Sequence, residues 1–237
     1  MADTVPLRAV GWTQYVRLIN SAFPPIDLFE DIADPKDWAL LAQAEGRTNP
    51  RLSDSIGKLD LIPLNRRVGG AGASYVMAPF VHCSPDRPGR FHDGSFGAFY
   101  AANTFETAVA ETLHHVGRFL TATNEAPGWI AEMRELLGQI DRPLLDIRTG
   151  DHADLLNASD YTASQSFAAT HRAAGADGIV YPSVRQSGGE CLAAFWPDVM
   201  HVPTQGRHIR YHWNGARIDM IRELTLAGDG RVFMVEE

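Results

Sequence analysis

The sequence predicts an α+β fold, in which a mixed or antiparallel β-sheet forms the core and helices flank it. Strand-like segments outnumber helix-like ones and do not alternate regularly with them, which disfavours a doubly wound α/β fold. Hydrophobic residues make up 45% of the 237 residues and charged residues 21%, as is usual for a globular chain. A chain of this length can bury a substantial core in one large domain or two small ones.

The composition of the chain divides it near residue 75. We expect residues 1–75 to form an N-terminal helical and loop extension, containing Arg17, that packs on a core of residues 76–237. The whole is expected to be one compact domain. Residues 46–75 are rich in Arg, Asn, Pro and Gly, which is typical of a surface loop. Its end, GGAGASY, lacks the Gly-Lys-Ser/Thr of a phosphate-binding P-loop, so that site is excluded.

A helix start is predicted within the extension, where Asp34 precedes Pro35. Asp is a favoured N-cap residue, and Pro is tolerated in the first helical turn. The side chains of Trp38, Leu40 and Leu41 should then face inward. We therefore expect residues 11–45 to form helices beside the main fold, interrupted at the Pro-Pro pair.

The remaining strands follow from short apolar runs. The segment YVMAPFVHCS at 75–84 is predicted as a strand that Pro79 partly interrupts. Helical signals fill residues 160–174. Further strands are predicted at 129–134, 144–148, 178–184 and 191–196 and in the alternating tail RVFMVEE.

The clearest helix begins after Asn103, which with Glu106 forms a capping-box-like start. We expect this helix to extend to about Leu120. Its apolar residues recur every three or four positions, as on one face of an amphipathic helix. They are Phe105, Val109, Leu113, Val116 and Leu120.

Glu111 lies off that apolar stripe, about 200° from Val109 at ~100° per residue. Its neighbours on the same helical face are Thr107, His115 and Arg118. A glutamate in this position is ordinarily just solvated. Its interest therefore depends on the residues that accompany it elsewhere in the chain.

Charge and composition exclude several classes of protein. The formal charge of −8 and the pI near 5.6 argue against direct nucleic-acid binding and suit a basic protein partner. We find no signal peptide and no apolar run of the ~20 residues that a membrane span requires, so a cytoplasmic location is expected. In that compartment Cys83 and Cys191 are expected to be reduced thiols, although two cysteines could form one disulfide.

The sequence argues against three other kinds of site. The pair His208 and His212 could bind zinc if helical, but no HExxH pattern and no cysteine pair accompany it, so no metal site is expected. A Rossmann dehydrogenase is excluded because no Gly-x-Gly-x-x-Gly follows a strand. The neighbours of Ser183 in YPSVRQSGGE do not form the Gly-x-Ser-x-Gly of a serine hydrolase.

Four residues in order give the strongest functional signal: Arg90, Tyr100, Glu111 and Ser183. Ten residues separate the first two, and eleven separate Tyr100 from Glu111. With TAVAE, YPSVR and CLAAFWP following in order, this pattern resembles the RES domain, over roughly residues 15–200. RES members are mostly toxins of bacterial toxin–antitoxin pairs that break down NAD. The resemblance implies an ADP-ribosyltransferase-like sheet core and NAD as a substrate, with no permanently bound cofactor.

The resemblance also implies roles for individual residues. Breaking the nicotinamide–ribose bond leaves an oxocarbenium-like ribose, and a carboxylate stabilises such a cation, which would be the role of Glu111. Arg90 and Arg17 match family arginines, and a guanidinium meets phosphate oxygens two at a time. Tyr100 would pack on the nicotinamide ring. Ser183 would orient the ligand.

Two neighbours of Ser183, Tyr181 and Arg185, are expected to reach the same ligand. The resemblance further implies a partner, an antitoxin with an Xre-like DNA-binding domain whose tail covers the NAD pocket. The acceptor of ADP-ribose stays open between water, phosphate and a protein side chain, and the surface outside the family core favours a protein. A non-catalytic binding module is the alternative, against which the presence of all four family residues argues.

Overall fold

The computed structural model describes residues 5–32, 34–46, 56–225 and 230–235. The helices are α1 (Trp38–Gly46), α2 (Ala73–Val81), α3 (Phe105–Ala122) and α4 (Thr162–Ala173). The strands are β1 (Leu7–Arg8), β2 (Tyr15–Asn20), β3 (Phe99–Ala102), β4 (Gly128–Gly138), β5 (Leu144–Asp146), β6 (Gly178–Pro182), β7 (Glu190–Ala194), β8 (Thr204–Trp213), β9 (Ile218–Leu224) and β10 (Val232–Met234).

Across the described residues these strands form one sheet in the order β1-β5-β6-β7-β3-β2-β4-β8-β9-β10. Neighbouring strands are antiparallel except β5 and β6, which pair in parallel. The predicted α+β class with a mixed, largely antiparallel sheet is thereby confirmed. No helix among the described residues is long and apolar enough to cross a membrane.

Two hydrophobic cores lie on opposite faces of the sheet, because alternate side chains of a strand point to opposite sides. Cys191 and Ala193 of β7 belong to the first core, whereas Leu192 and Ala194 belong to the second. Helices α3 and α4 cover the first face, through residues such as Ala108 and Ala168. Helices α1 and α2 cover the second face.

The N-terminal extension differs from the prediction. Residues 15–20 form β2, which lies inside the sheet between β3 and β4 rather than in a helix beside it. Its side chains alternate, with Val16 and Leu18 in the first core and Tyr15 in the second. Strands β1 and β2, which come from residues 1–75, therefore belong to the same sheet as the later strands.

The expected strand at 75–84 is wrong, because this segment forms most of α2. The buried residues Ala73, Val76, Met77 and Phe80 have helical spacing. The segment is apolar nearly throughout, so alternation could not separate a strand from a buried helix. Pro79 is accommodated near the C-terminal end of the helix, where it removes only one backbone donor.

Helix α1 begins at Trp38, which is fully buried as predicted. Leu40 was expected to face inward but is 67% exposed, and Leu41 is half-buried. The predicted loop at 46–75 lies partly outside the described residues. From residue 56 onward this segment is not simply surface, because Leu59 and Ile62 are buried.

The strands predicted at 129–134, 144–148, 178–184 and 191–196 coincide with β4, β5, β6 and β7. Helix α3 is also confirmed, and its predicted apolar stripe packs on the first core. Its N-cap is Thr104, whose hydroxyl accepts from the amide of Thr107 at 3.2 Å. Asn103 instead accepts from the Glu190 amide at 3.1 Å, because its side chain faces β7.

Candidate active site

A cavity of about 820 Å³ is lined by residues of α3 and of strands β2, β3, β6 and β7. Five of the residues predicted for the site line it: Arg17, Arg90, Tyr100, Glu111 and Tyr181. Ser183 and Arg185 are not among the residues that line the cavity. Tertiary structure thus assembles residues that are separated by up to 164 positions in the chain.

Glu111 is half-buried on the face of α3 that looks across to the end of β6. Its Oε1 accepts a hydrogen bond from the Ser183 hydroxyl at 2.7 Å, and the Cys191 thiol lies 3.6 Å from the same oxygen. Burial and the neighbouring carboxylate raise the pKa of Cys191, which keeps this thiol protonated. Ser183 and Cys191 therefore contact the Glu111 carboxylate from one side, and its other side faces the cavity.

Ser183 owes its orientation to the turn that follows β6. Its Oγ accepts from the backbone amides of Arg185 at 3.1 Å and Gln186 at 3.0 Å. With its acceptor capacity used by these amides, the hydroxyl proton is available for Glu111. Ser183 thus contacts the carboxylate instead of lining the cavity, where a ligand contact had been expected.

Tyr100, on β3, places its ring in the wall of the cavity. Its hydroxyl accepts from the Phe91 amide at 2.9 Å, and burial raises its pKa above the ordinary range, so the phenol stays neutral. Gly89 makes this arrangement possible. A Cβ added there would lie 2.7 Å from the Tyr100 hydroxyl oxygen and 2.7 Å from Nε2 of His92.

Arg90 is 7% exposed, and protein groups already occupy part of its guanidinium. Its Nη1 donates to the carbonyls of Asn157 at 2.6 Å and Leu155 at 3.2 Å, and the group stacks 4.7 Å above the Tyr161 ring. These contacts join the 155–161 loop to the cavity. Arg90 therefore shapes the wall as well as adding charge to it.

Arg17 extends from β2 beside the point where the sheet opens. The backbone pairing of β2 with β3 is limited to Val16 and Ala102. Beyond that pair the Nη1 of Arg17 donates to the Tyr100 carbonyl at 2.6 Å, and its guanidinium lies 4.5 Å from the Phe99 ring centroid. Burial lowers the pKa of Arg17 to about 10, so it stays charged at neutral pH. Its buried Nε has no partner among the described residues.

Tyr181 and Arg185 take different positions. Tyr181, 5% exposed, packs edge-on against Phe91 at 4.9 Å, and burial raises its pKa strongly. Arg185 instead approaches Nε2 of His114 at 3.0 Å and donates to the Ala158 carbonyl. It therefore supports the neighbouring loop and does not line the cavity.

Residues of this wall that the sequence analysis did not propose for the site include Arg87, His92 and Cys191. Burial lowers the pKa of His92 to about 4, so its imidazole is neutral at physiological pH. Its Nδ1 is buried with no partner among the described residues. The position of His92 two residues after Arg90 was the available signal. Only the fold could show that its ring turns into the cavity.

The cavity is basic although the chain as a whole is acidic. Its wall contains three carboxylates, of Asp86, Glu111 and Asp160. Against these stand four guanidinium groups, of Arg17, Arg87, Arg90 and Arg118. Arg118 lies on the Glu111 face of α3, as its spacing predicted. Such a wall favours an anionic ligand with phosphate groups.

The histidine pair considered for zinc lies on a strand and not on a helix. His212 binds Asp219 through Nδ1 at 2.7 Å. In the part of the chain that the structure describes, no group of three or more His, Cys, Asp or Glu residues could hold a metal ion. Cys83 and Cys191 are both free and buried.

Comparison with known proteins settles the family. The RES domain model matches residues 64–214, which is more than half of the chain. This chain belongs to the RES domain family. The RES match includes Arg90, Tyr100, Glu111 and Ser183, but it begins after β2, so Arg17 comes from the segment that precedes it.

Two known proteins are similar to this chain. An uncharacterised protein of Sinorhizobium fredii, y4oC, is 31% identical over 216 residues, which cover 91% of this chain and 90% of that protein. A chain in the crystal structure of the M. tuberculosis MbcT–MbcA toxin–antitoxin complex is 15% identical, with a TM-score of 0.39. That alignment covers 54% of this chain and 73% of the other.

Proposed function

We propose that this RES protein is the toxin of a toxin–antitoxin pair and that it cleaves the nicotinamide–ribose bond of NAD. The observation that carries the proposal is Glu111, a carboxylate held by Ser183 at 2.7 Å at the edge of a cavity with four arginines. A dinucleotide has both features that such a site would recognise. It carries a negatively charged diphosphate, and its glycosidic bond breaks with positive charge on the ribose.

In the proposed reaction the bond between the ribosyl carbon and the pyridine nitrogen breaks, and its electron pair leaves with neutral nicotinamide. Glu111 stabilises the resulting oxocarbenium-like ribose electrostatically. Tyr100 packs on the nicotinamide ring, while Arg17 and Arg90 contribute positive charge near the diphosphate. Ser183 acts through Glu111 by keeping its carboxylate in place. Tyr181 completes the wall beside this reacting end.

The acceptor then forms the new bond at the ribosyl carbon, and a water or side-chain acceptor releases its proton to solvent. We place a protein side chain first, which makes the enzyme a mono-ADP-ribosyltransferase, because strands β9 and β10 and the residues before 64 add surface outside the RES match. Water would make it a glycohydrolase and inorganic phosphate a phosphorylase. Either of these would deplete NAD. We further propose an Xre-like antitoxin that covers the cavity, and a cytoplasmic site of action.

The direct test is nicotinamide release from NAD by the purified chain, with Glu111→Gln beside it. We expect the wild type to release nicotinamide and the variant to lose at least about 100-fold in kcat, since removing one preorganised electrostatic group costs on the order of 10² to 10³. No release at any protein concentration would leave only a binding module. Equal release by both proteins would remove Glu111 from the centre of the reaction.

The acceptor is identified by repeating the assay with NAD labelled in the adenosine moiety. Label on a lysate protein supports transfer to protein, free ADP-ribose supports hydrolysis, and ADP-ribose 1″-phosphate supports phosphorolysis. Expression in a bacterial host should inhibit growth, and Glu111→Gln should relieve the inhibition. Growth inhibition that survives this substitution would contradict NAD cleavage as its cause.

A further inference from the structure

A second cavity of about 670 Å³ adjoins the first along β2. The first cavity contacts residues 16–18 of this strand, and the second contacts residues 17–20. Both are lined by Arg17, Leu18 and Arg87. They meet where the pairing of β2 with β3 has ended, so the sheet itself provides the opening between them.

The walls of the second cavity are largely apolar and aromatic. Residues 23–26, which precede the RES match, form one side, and Tyr75 and Ala78 of α2 form another. Phe23 is 63% exposed, so its ring is free to take a planar partner. The Tyr75 ring is fixed because its hydroxyl is held by Arg134 at 3.3 Å and by Gln205.

Arg87 stands at the junction of the two cavities and is exposed. Among the described residues its guanidinium makes no hydrogen bond or ion pair, whereas the guanidinium of Arg90 donates to two carbonyls. A guanidinium without protein partners can donate all of its N–H groups to a ligand. Arg17 also lines both cavities and adds a second positive charge on the β2 side, so the junction suits a diphosphate.

We propose that the second cavity binds the purine nucleoside half of the dinucleotide, with the diphosphate between Arg17 and Arg87. This inference rests on the proposed function and names where the remote half of the substrate lies. Glu111 lines the first cavity and not the second, so the second cavity is assigned to the half of the substrate that does not react. The second cavity would hold the purine nucleoside, Arg17 and Arg87 the diphosphate, and the first cavity the nicotinamide riboside.

The first experiment measures binding without turnover, by titrating AMP into the purified full chain in a calorimeter. Phe23→Ala should weaken AMP binding by about 5- to 150-fold, the range of one lost base–aromatic stacking contact. The matched control is Phe233→Ala on β10, a phenylalanine that is 46% exposed and lines neither cavity. It should bind AMP as the wild type does. No AMP binding by the wild type, or equal binding by all three proteins, overturns the inference.

The second experiment compares NAD with nicotinamide mononucleotide, which lacks the adenosine half. Phe23→Ala should raise the KM for NAD by a similar factor and leave that for the mononucleotide unchanged. Equal effects on the two KM values would mean that Phe23 does not act through the adenosine half of NAD, and this would overturn the inference. The two proposals fail separately. AMP binding that depends on Phe23, without nicotinamide release, sinks only the proposed reaction, whereas release that is indifferent to Phe23 sinks only the purine cavity.

Discussion

The hydroxyl of Ser183 donates a hydrogen bond of 2.7 Å to Oε1 of Glu111, joining the turn after β6 to the middle of α3. Two backbone amides fix the hydroxyl from the other side. A carboxylate on the solvent-facing side of a helix would otherwise sample several rotamers. The turn after β6 thus fixes the position of the Glu111 carboxylate in the cavity.

Ser183→Ala should therefore lower kcat for nicotinamide release more than it raises KM for NAD. A hydrogen bond to a charged group contributes about 1.5–3 kcal/mol, which corresponds to a fall of roughly 10- to 150-fold. The measurement is steady-state kinetics with NAD. Ser183→Thr keeps a hydroxyl and should recover much of the rate. A rise confined to KM would instead indicate a direct ligand contact, as the sequence suggested.

Gly89→Ala should disturb the cavity without unfolding the chain. The new Cβ would meet the Tyr100 hydroxyl oxygen and Nε2 of His92 at 2.7 Å, and both rings must move. We expect the KM for NAD to rise and the free energy of unfolding to fall by about 1 kcal/mol, the low end for overpacking. Kinetics and urea unfolding measure the two effects.

The control for that substitution is Gly117→Ala in α3, where an added Cβ meets nothing within 4 Å. Alanine is the better helix former, so stability should rise by about 0.5–1 kcal/mol with activity unchanged. Unaltered kinetics in Gly89→Ala would show that Tyr100 and His92 do not need their present positions.

Arg90 and Arg87 should separate in their effects on stability. Arg90→Ala leaves the carbonyls of Leu155 and Asn157 without their donor and should lower the free energy of unfolding by about 1–3 kcal/mol. Arg87→Ala removes no side-chain hydrogen bond or ion pair seen among the described residues and should change stability by less than about 0.5 kcal/mol. Both should weaken NAD binding. Equal melting temperatures for the two variants would contradict this division of roles.

His92 makes the folded protein sensitive to acid. Burial lowers its pKa from 6.5 to about 4, so the unfolded chain binds its proton more readily. The neutral His92 costs no stability above pH 6.5, and the free energy of unfolding falls by about 3 kcal/mol in total as the pH drops from 6.5 towards 4. His92→Gln should flatten the dependence of unfolding free energy on pH in that window. An unchanged slope would show that the imidazole titrates normally.

The helix that carries Glu111 was predictable because its apolar residues repeat at helical spacing, and that spacing alone placed Glu111 off the buried stripe. The strands β4 to β7 were predictable for a similar reason, since short apolar runs bounded by turns suit buried strands. Helix α2 was not. Its residues are apolar on nearly every side, so periodicity could not separate it from a strand.

By itself the sequence determined the α+β class and the family and predicted the residue types of the candidate site, because spacing and residue chemistry are local properties of the chain. Tertiary structure decided what those residues do for one another. It directed Ser183 to Glu111, committed Arg90 to the carbonyls of a distant loop and placed β2 inside the sheet. It also opened the sheet beside Arg17. These relations join segments far apart in sequence, and only the packing of one sheet between two cores fixes their distances.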